Sequence, residues 1–138
     1  MFKIIKFFID DNSCVKVIPY TELARTLTET FGFKKVAFTL RESISASVNG
    51  WSGLPYTKDH TFLSKKYIIQ LVDRVGGGDS FASGLIYALL NDMDDKTALE
   101  YAVAASCLKQ TMEFDFNLAS VDEVLALMNG NGSGRVVR

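Results

Sequence analysis

Three consecutive glycines, Gly76, Gly77 and Gly78, separate an apolar run at Tyr67–Val72 from a stretch of helical periodicity that starts at Asp79. No other feature of the chain restricts its folding as much. Glycines admit positive φ and leave no Cβ in the way of a ligand. A helix N-terminus presents unpaired amides and a partial positive charge. A strand, a glycine turn and a helix start in that order make a concavity for an anion such as a phosphate. Asp79 stands at its mouth, where an Asp either caps the helix or accepts a proton from an attacking hydroxyl. Arg74, just before the turn, either clamps a phosphate oxygen or pairs at the surface with Asp73 or a nearby acid. The segment is not a Walker loop, since Gly-x4-Gly-Lys-Ser/Thr is absent. It is not a dinucleotide fingerprint either, because the glycine spacing is wrong.

Around this motif, hydrophobic periodicity lays out an α/β chain. Phe2–Ile9 reads as a strand, Asp10–Ser13 as a turn and Val15–Ile18 as a short second strand. Thr21–Phe31 reads as a helix, with Leu23, Leu27 and Phe31 four residues apart and Gly32 as its stop. Lys35–Leu40 is a short apolar run suited to a strand covered on both faces. Ser43–Trp51 alternates in period two, with Asn49-Gly50 as a candidate bend, and residues 52–65 read as irregular. Phe81, Leu85, Ala88 and Leu89 fall on one face of a helix over Asp79–Leu90. Further helices are expected at Lys96–Gln110 and Val121–Met128, the latter capped by Ser120 with Glu123 completing a capping box. The tail from Asn129 is rich in Gly, Asn and Ser and reads as flexible. Interleaved strands and helices point to a three-layer, Rossmann-like α/β arrangement.

Composition excludes several classes. The 138 residues fit one domain with a real core, and a net charge of −1 provides no global field for nucleic acid or an anionic membrane. No apolar run approaches the ~18 residues that span a bilayer. Cys14 and Cys107 form no CxxC or Cys/His pattern, so no zinc site and no named metal ligand are expected. Cys107 reads as a small buried residue, and a reduced, cytoplasmic setting is expected. His60 reads as a solvated loop residue, Trp51 and Tyr56 as packing under a loop, and Asp92, Asp94 and Asp95 as the start of the next helix.

Asp73-Arg74-Val75-Gly76-Gly77-Gly78-Asp79-Ser80-Phe81, with Gly84 beyond, resembles the C-terminal signature of the ribokinase-like (PfkB) carbohydrate kinases. The resemblance implies that Gly76, Gly77 and Gly78 form an anion hole over the transferred phosphate and that Asp79 is the catalytic base. Thr39-Leu40-Arg41-Glu42-Ser43 is similar to that family's nucleotide-contacting Thr-Leu-Gly turn, with Arg41 replacing a Gly. On that basis Thr39, Arg41 and Ser43 are expected at the nucleotide, and Arg74 at a phosphate. Val103 and Ala104, in the Ala-rich helix, are expected to line the adenine pocket. Asp115 in Asp115-Phe116-Asn117 is expected to approach the sugar, although Glu113-Phe114 departs from the family's Pro-Gly. Asn49-Gly50-Trp51, Ala104–Lys109 and Gly132–Val136 resemble the 2-keto-3-deoxygluconate kinase branch. The implied ligands are ATP, Mg2+ and a small sugar acid.

The resemblance spans roughly residues 20–138 and leaves 1–19 unmatched. It implies the C-terminal half of the family fold, without the N-terminal half that supplies most of the sugar site and its lid. The chain is therefore read as one nucleotide-binding, catalytic portion: a truncated product, an expressed domain or part of a split protein. Phosphoryl transfer depends on positioning, and a missing acceptor clamp forfeits a proximity term of about 7–11 kcal/mol. Weak or no turnover by the chain alone is expected. A parallel sheet divided this way exposes an edge and an apolar face, so self-association or a missing N-terminal half is the expected partner. The alternative is a non-catalytic nucleotide-binding or interaction remnant.

Overall fold

The computed structural model describes residues 8–10, 17–57 and 60–130. Its elements are β1 (Phe8–Asp10), α1 (Val17–Phe31), β2 (Val36–Ser43), β3 (Val48–Tyr56), β4 (Tyr67–Gln70), α2 (Gly77–Leu90), α3 (Asp95–Gln110) and α4 (Val121–Asn129). The four strands form one sheet in the order β1-β2-β3-β4. β1 pairs with β2 in parallel, whereas β2–β3 and β3–β4 are antiparallel, so the sheet is mixed where a parallel one was expected.

Side chains alternate across the sheet and divide the core in two. Val36, Phe38, Leu40 and Leu54 pack against Tyr20 and Ala24 of α1. Trp51, Tyr67 and Ile69 on the other face meet Phe81 of α2 and Leu99 and Val103 of α3. Helices thus cover both faces, giving the three layers the sequence predicts. α4 adds a further contact through Val124, in the cluster that joins α2 and α3.

α2 and α3 lie close because Gly84 leaves room for α3. A Cβ there would come 3.1 Å from Cα of Ala102 and 3.2 Å from Cβ of Ala105. Across the sheet interface, Trp51 Nε1 donates to Ser106 Oγ at 2.6 Å, and that hydroxyl donates to the carbonyl of Val103 at 3.0 Å. Phe81 and Ala88 are buried while Leu85 and Leu89 pack beside them, as the helical face predicts. Cys107 is buried, and burial holds its thiol well above the ordinary range.

Several boundaries move. Val17 and Ile18 belong to α1 rather than to a second strand, and Pro19 sits in the first turn, where its missing N–H is no loss. Of the expected helical face, Leu23 and Leu27 pack against the core beside the buried Tyr20 and Ala24, whereas Phe31 is exposed and stacks on Phe33, with ring centroids 5.5 Å apart. Gly32 ends α1 as expected, at φ 67°, donating to the carbonyl of Thr28 at 2.9 Å. Asp10 is in a strand rather than a turn. Ser43–Trp51 is not one strand: residues 44–47 form a hairpin turn, and Asn49 and Gly50 lie within β3. Ser52–Tyr56, read as irregular, continues that strand.

The helical starts differ in kind. α2 begins at Gly77 behind Gly76, which has φ 78°. Asp94 caps α3, accepting from the amides of Lys96 and Thr97. Hydrogen bonding by the Thr97 hydroxyl and then its amide holds the Asp94 carboxyl below the usual range. Ser120 and Glu123 form the predicted capping box on α4. The expected strand before Phe8, the turn at 11–13, Val15 and the tail beyond Gly130 lie outside the described residues.

Candidate active site

β4 delivers the chain to the end of the sheet where α3 finishes. Leu71 N donates to the carbonyl of Ser47 in the hairpin turn at 2.8 Å, and Val72 N donates to that of Gln110 at 2.9 Å. Asp73 Oδ1 accepts from the amide of Val75 at 2.9 Å, which tightens the approach to the glycines. Gly76 then reverses the chain in the left-handed region, where a side chain is disfavoured. Gly77 N reaches back to the carbonyl of Arg74 at 3.3 Å, and Ser80 N donates to Gly76 O at 2.8 Å, closing the first turn of α2.

Two walls enclose this turn. A Cβ on Gly77 would lie 3.2 Å from Cγ of Gln110, the last residue of α3. A Cβ on Gly76 would lie 2.1 Å from the carbonyl oxygen of Asp115. The loop that carries Asp115 is fastened by Asn117, whose Nδ2 donates to Ser80 Oγ and, at 3.1 Å, to the carbonyl of Ala105. Ser80 Oγ donates to the same carbonyl at 3.1 Å. The glycine turn, the end of α3 and the 112–117 loop therefore form one hydrogen-bonded unit.

Each residue singled out in the sequence now has a place. Gly77 and Gly78 are buried as the first residues of α2, and Gly76 is its N-cap. Asp79 is the third residue of the helix, not its cap, and is exposed at the mouth of the turn. An acid in the first turn suits the helix dipole. Arg74 does not pair with Asp73: its Nη2 donates to the carbonyl of Ala46 at 3.1 Å, bridging the turn to the β2–β3 hairpin. Thr39, Arg41 and Ser43 lie inside β2 rather than in a turn after it, on the face shared with Ala37 and opposite Gly53, Trp51 and Asn49. Ser43 is exposed and Arg41 half-buried, while Thr39 is buried with its hydroxyl unpartnered.

Val103 and Ala104 are both 0% exposed, the first packed over Gly53 and the second between α3 and its helical neighbours. Both side chains are taken up by packing within the described residues. Asp115 is exposed, and it is its backbone carbonyl that meets the glycine turn.

The structure adds residues that periodicity does not flag. Asn49, read as a bend, is 0% exposed, with neither amide atom partnered. It sits on β3 between Ser43 and Ile69, on the face toward α3. Gln110 and Asn117 hold the walls. Periodicity does not mark them, since Gln110 ends α3 and Asn117 lies in the loop before α4. Tyr67, buried beneath α3 with its hydroxyl unpartnered, is pushed far up, first by burial and then by Cys107 and Glu100. No cluster of three or more His, Cys, Asp or Glu side chains able to hold a metal occurs among the described residues. Among them, too, no helix is long and apolar enough to cross a membrane.

Comparison with known proteins matches residues 34–113 to the pfkB family carbohydrate kinase pattern. The 2-dehydro-3-deoxygluconokinase of Thermotoga maritima superposes with a TM-score of 0.77 at 46% identity, covering 80% of this chain and 34% of that one. A 2-dehydro-3-deoxygalactonokinase of Haloferax volcanii is 29% identical over 81% of this chain and 33% of its own length. An ATP-dependent ribose-1-phosphate kinase of Halopiger xanaduensis is 30% identical over 78% of this chain and 36% of its own. The chain thus covers about a third of the length of these relatives.

Proposed function

The chain belongs to the pfkB family of carbohydrate kinases, and from that premise we propose that it is the nucleotide-binding and phosphoryl-transfer portion of an ATP-dependent kinase acting on a sugar acid of the 2-keto-3-deoxygluconate type. One observation carries the reading: a left-handed Gly76 opens α2 with two buried glycines and places an exposed carboxylate, Asp79, one residue beyond them. Asp79 takes the proton of the sugar hydroxyl, and the freed oxygen attacks the γ-phosphorus of ATP. The bond to the β-bridging oxygen breaks and ADP leaves with that electron pair. Charge that builds on the phosphoryl oxygens is met by the first-turn amides of α2. Arg74, anchored beside the turn, Thr39, Arg41 and Ser43 along β2, and Asp115 on the facing loop are the proposed nucleotide and substrate contacts. Mg2+ fits a site with no acidic cluster of its own when held by phosphates and water, and it would neutralise the phosphate oxygens. The 46% identity to the Thermotoga enzyme supports the sugar acid over a simple sugar. A cytoplasmic setting is proposed with the nucleotide.

The relatives' greater length favours an acceptor site completed by polypeptide outside this sequence. Val72, Val75, Phe114, Phe116 and Leu118 are exposed around the glycine turn and supply the surface to meet it, whether in a further kinase segment or a second copy. The same observation keeps a second reading in play, a nucleotide-binding portion without turnover of its own. The test is titration calorimetry of MgATP with the wild type and with Gly77→Asp, followed by phosphorylation of 2-keto-3-deoxygluconate after adding the remaining segment of a relative. Binding lost in the variant, and turnover that Asp79→Asn abolishes, support the kinase reading. Binding without turnover in any combination leaves the non-catalytic reading. No binding by the folded wild type overturns the kinase reading and leaves a non-catalytic interaction remnant.

A further inference from the structure

A buried lysine ordinarily has a carboxylate beside it. Lys109 is 0% exposed, and its only described partner is the carbonyl of Met112, to which Nζ donates at 3.4 Å. Among the described residues no ion pair joins it to Glu113 or Asp115, the acids of the same loop.

Its place follows from the helix pairing. α3 runs antiparallel to α2: Gly84 meets Ala102 and Ala105, Ser80 reaches the Ala105 carbonyl, and Gly77 meets Gln110. Lys109 lies one helical turn beyond Ala105, at the level of the first turn of α2. Its acceptor, Met112, opens the loop that places the Asp115 carbonyl against Gly76.

We infer that Lys109 is a positioning residue for the glycine turn: its buried ammonium fixes the start of the 112–117 loop and adds positive potential behind the first turn of α2, where a nucleotide phosphate is held. The ammonium carries three N–H donors and spends one on Met112, so its charge remains to balance an anion. A structural lysine would need only the bond. A lysine serving the turn must also supply charge, and this part of the inference rests on the nucleotide site proposed above.

Three variants separate the two roles. Lys109→Gln keeps a donor and loses the charge, Lys109→Met loses both, and Lys109→Arg keeps both. Each is measured by urea unfolding, by amide hydrogen exchange over residues 76–80 and 112–117, and by MgATP titration. The expected result is about tenfold weaker MgATP binding for Gln and Met, with Arg near the wild type. Exchange over 112–117 should rise in Met above Gln. Unchanged MgATP affinity in a folded Gln variant overturns the electrostatic role, and unchanged exchange in Met overturns the hold on the loop. If Met does not fold, Gln against Arg makes the same comparison. If the wild type binds no MgATP, it is the nucleotide-site reading that has failed, and the exchange data still decide whether Lys109 fixes the loop.

Discussion

The carbonyl oxygen of Asp115 occupies the space in which a side chain on Gly76 would begin, 2.1 Å from an ideal Cβ. Backbone meets backbone there, so neither side can yield by rotating a side chain. Gly76 also has φ 78°, and the two constraints act together. Gly76→Ala is expected to lose about 1–3 kcal/mol from left-handed strain alone, and more as the 112–117 loop is displaced. A lower urea midpoint with an unchanged slope, together with faster exchange over 112–117, checks it.

Gly84 makes a different prediction, because its neighbours are Cα of Ala102 and Cβ of Ala105 at 3.1 and 3.2 Å. Alanine there asks the helices to part by a few tenths of an ångström. Valine asks for more, and Gly84→Val should cost about 1–3 kcal/mol by overpacking. Alanine should cost distinctly less. Equal unfolding midpoints for the two variants would show that α2 and α3 part freely.

Ser106 serves Trp51 and the Val103 carbonyl at once. Ser106→Ala strands the indole N–H in the interior, at a cost of about 1–3 kcal/mol. Trp51 is the only tryptophan, so its fluorescence reports the unfolding and the change in its surroundings directly.

Acid should weaken the start of α3. The Asp94 carboxyl is held low by Thr97, so its folded pKa lies below the unfolded value. Such a group contributes stability that is fully present above the unfolded pKa and fades as pH falls through the folded one. Asp94→Asn should lower stability near neutrality and flatten the acid limb, so that the two proteins converge as pH falls. An identical acid limb in the variant would refute the assignment.

The helices were the most legible part of the chain. Ser120 with Glu123 and Asp94 with Thr97 are local devices whose partners lie within one turn, so sequence spacing reveals them. The glycine turn was legible for the same reason. The β2–β3 hairpin was not: Ile44 and Ala46 continue the period-two pattern through the turn, although both are exposed there. Alternation records which residues match in polarity, not where the chain reverses. Asn49 defeated the reading because burial of an unpartnered amide is a tertiary fact. Val103 and Ala104 were legible only as small residues on a helix, which suit close packing and ligand contact equally well; both are buried.

The sheet carries one more implication. Its spatial order is the order of synthesis, β1-β2-β3-β4, and each strand bonds to its immediate predecessor. The two antiparallel pairings close hairpins, and the α2–α3 pairing joins helices adjacent in sequence. Strand pairings between neighbours in sequence demand less loop-closure entropy than crossed ones. The turn at Gly76 and Gly77 is completed after the sheet, because its two walls, Gln110 and Asp115, lie further along the chain.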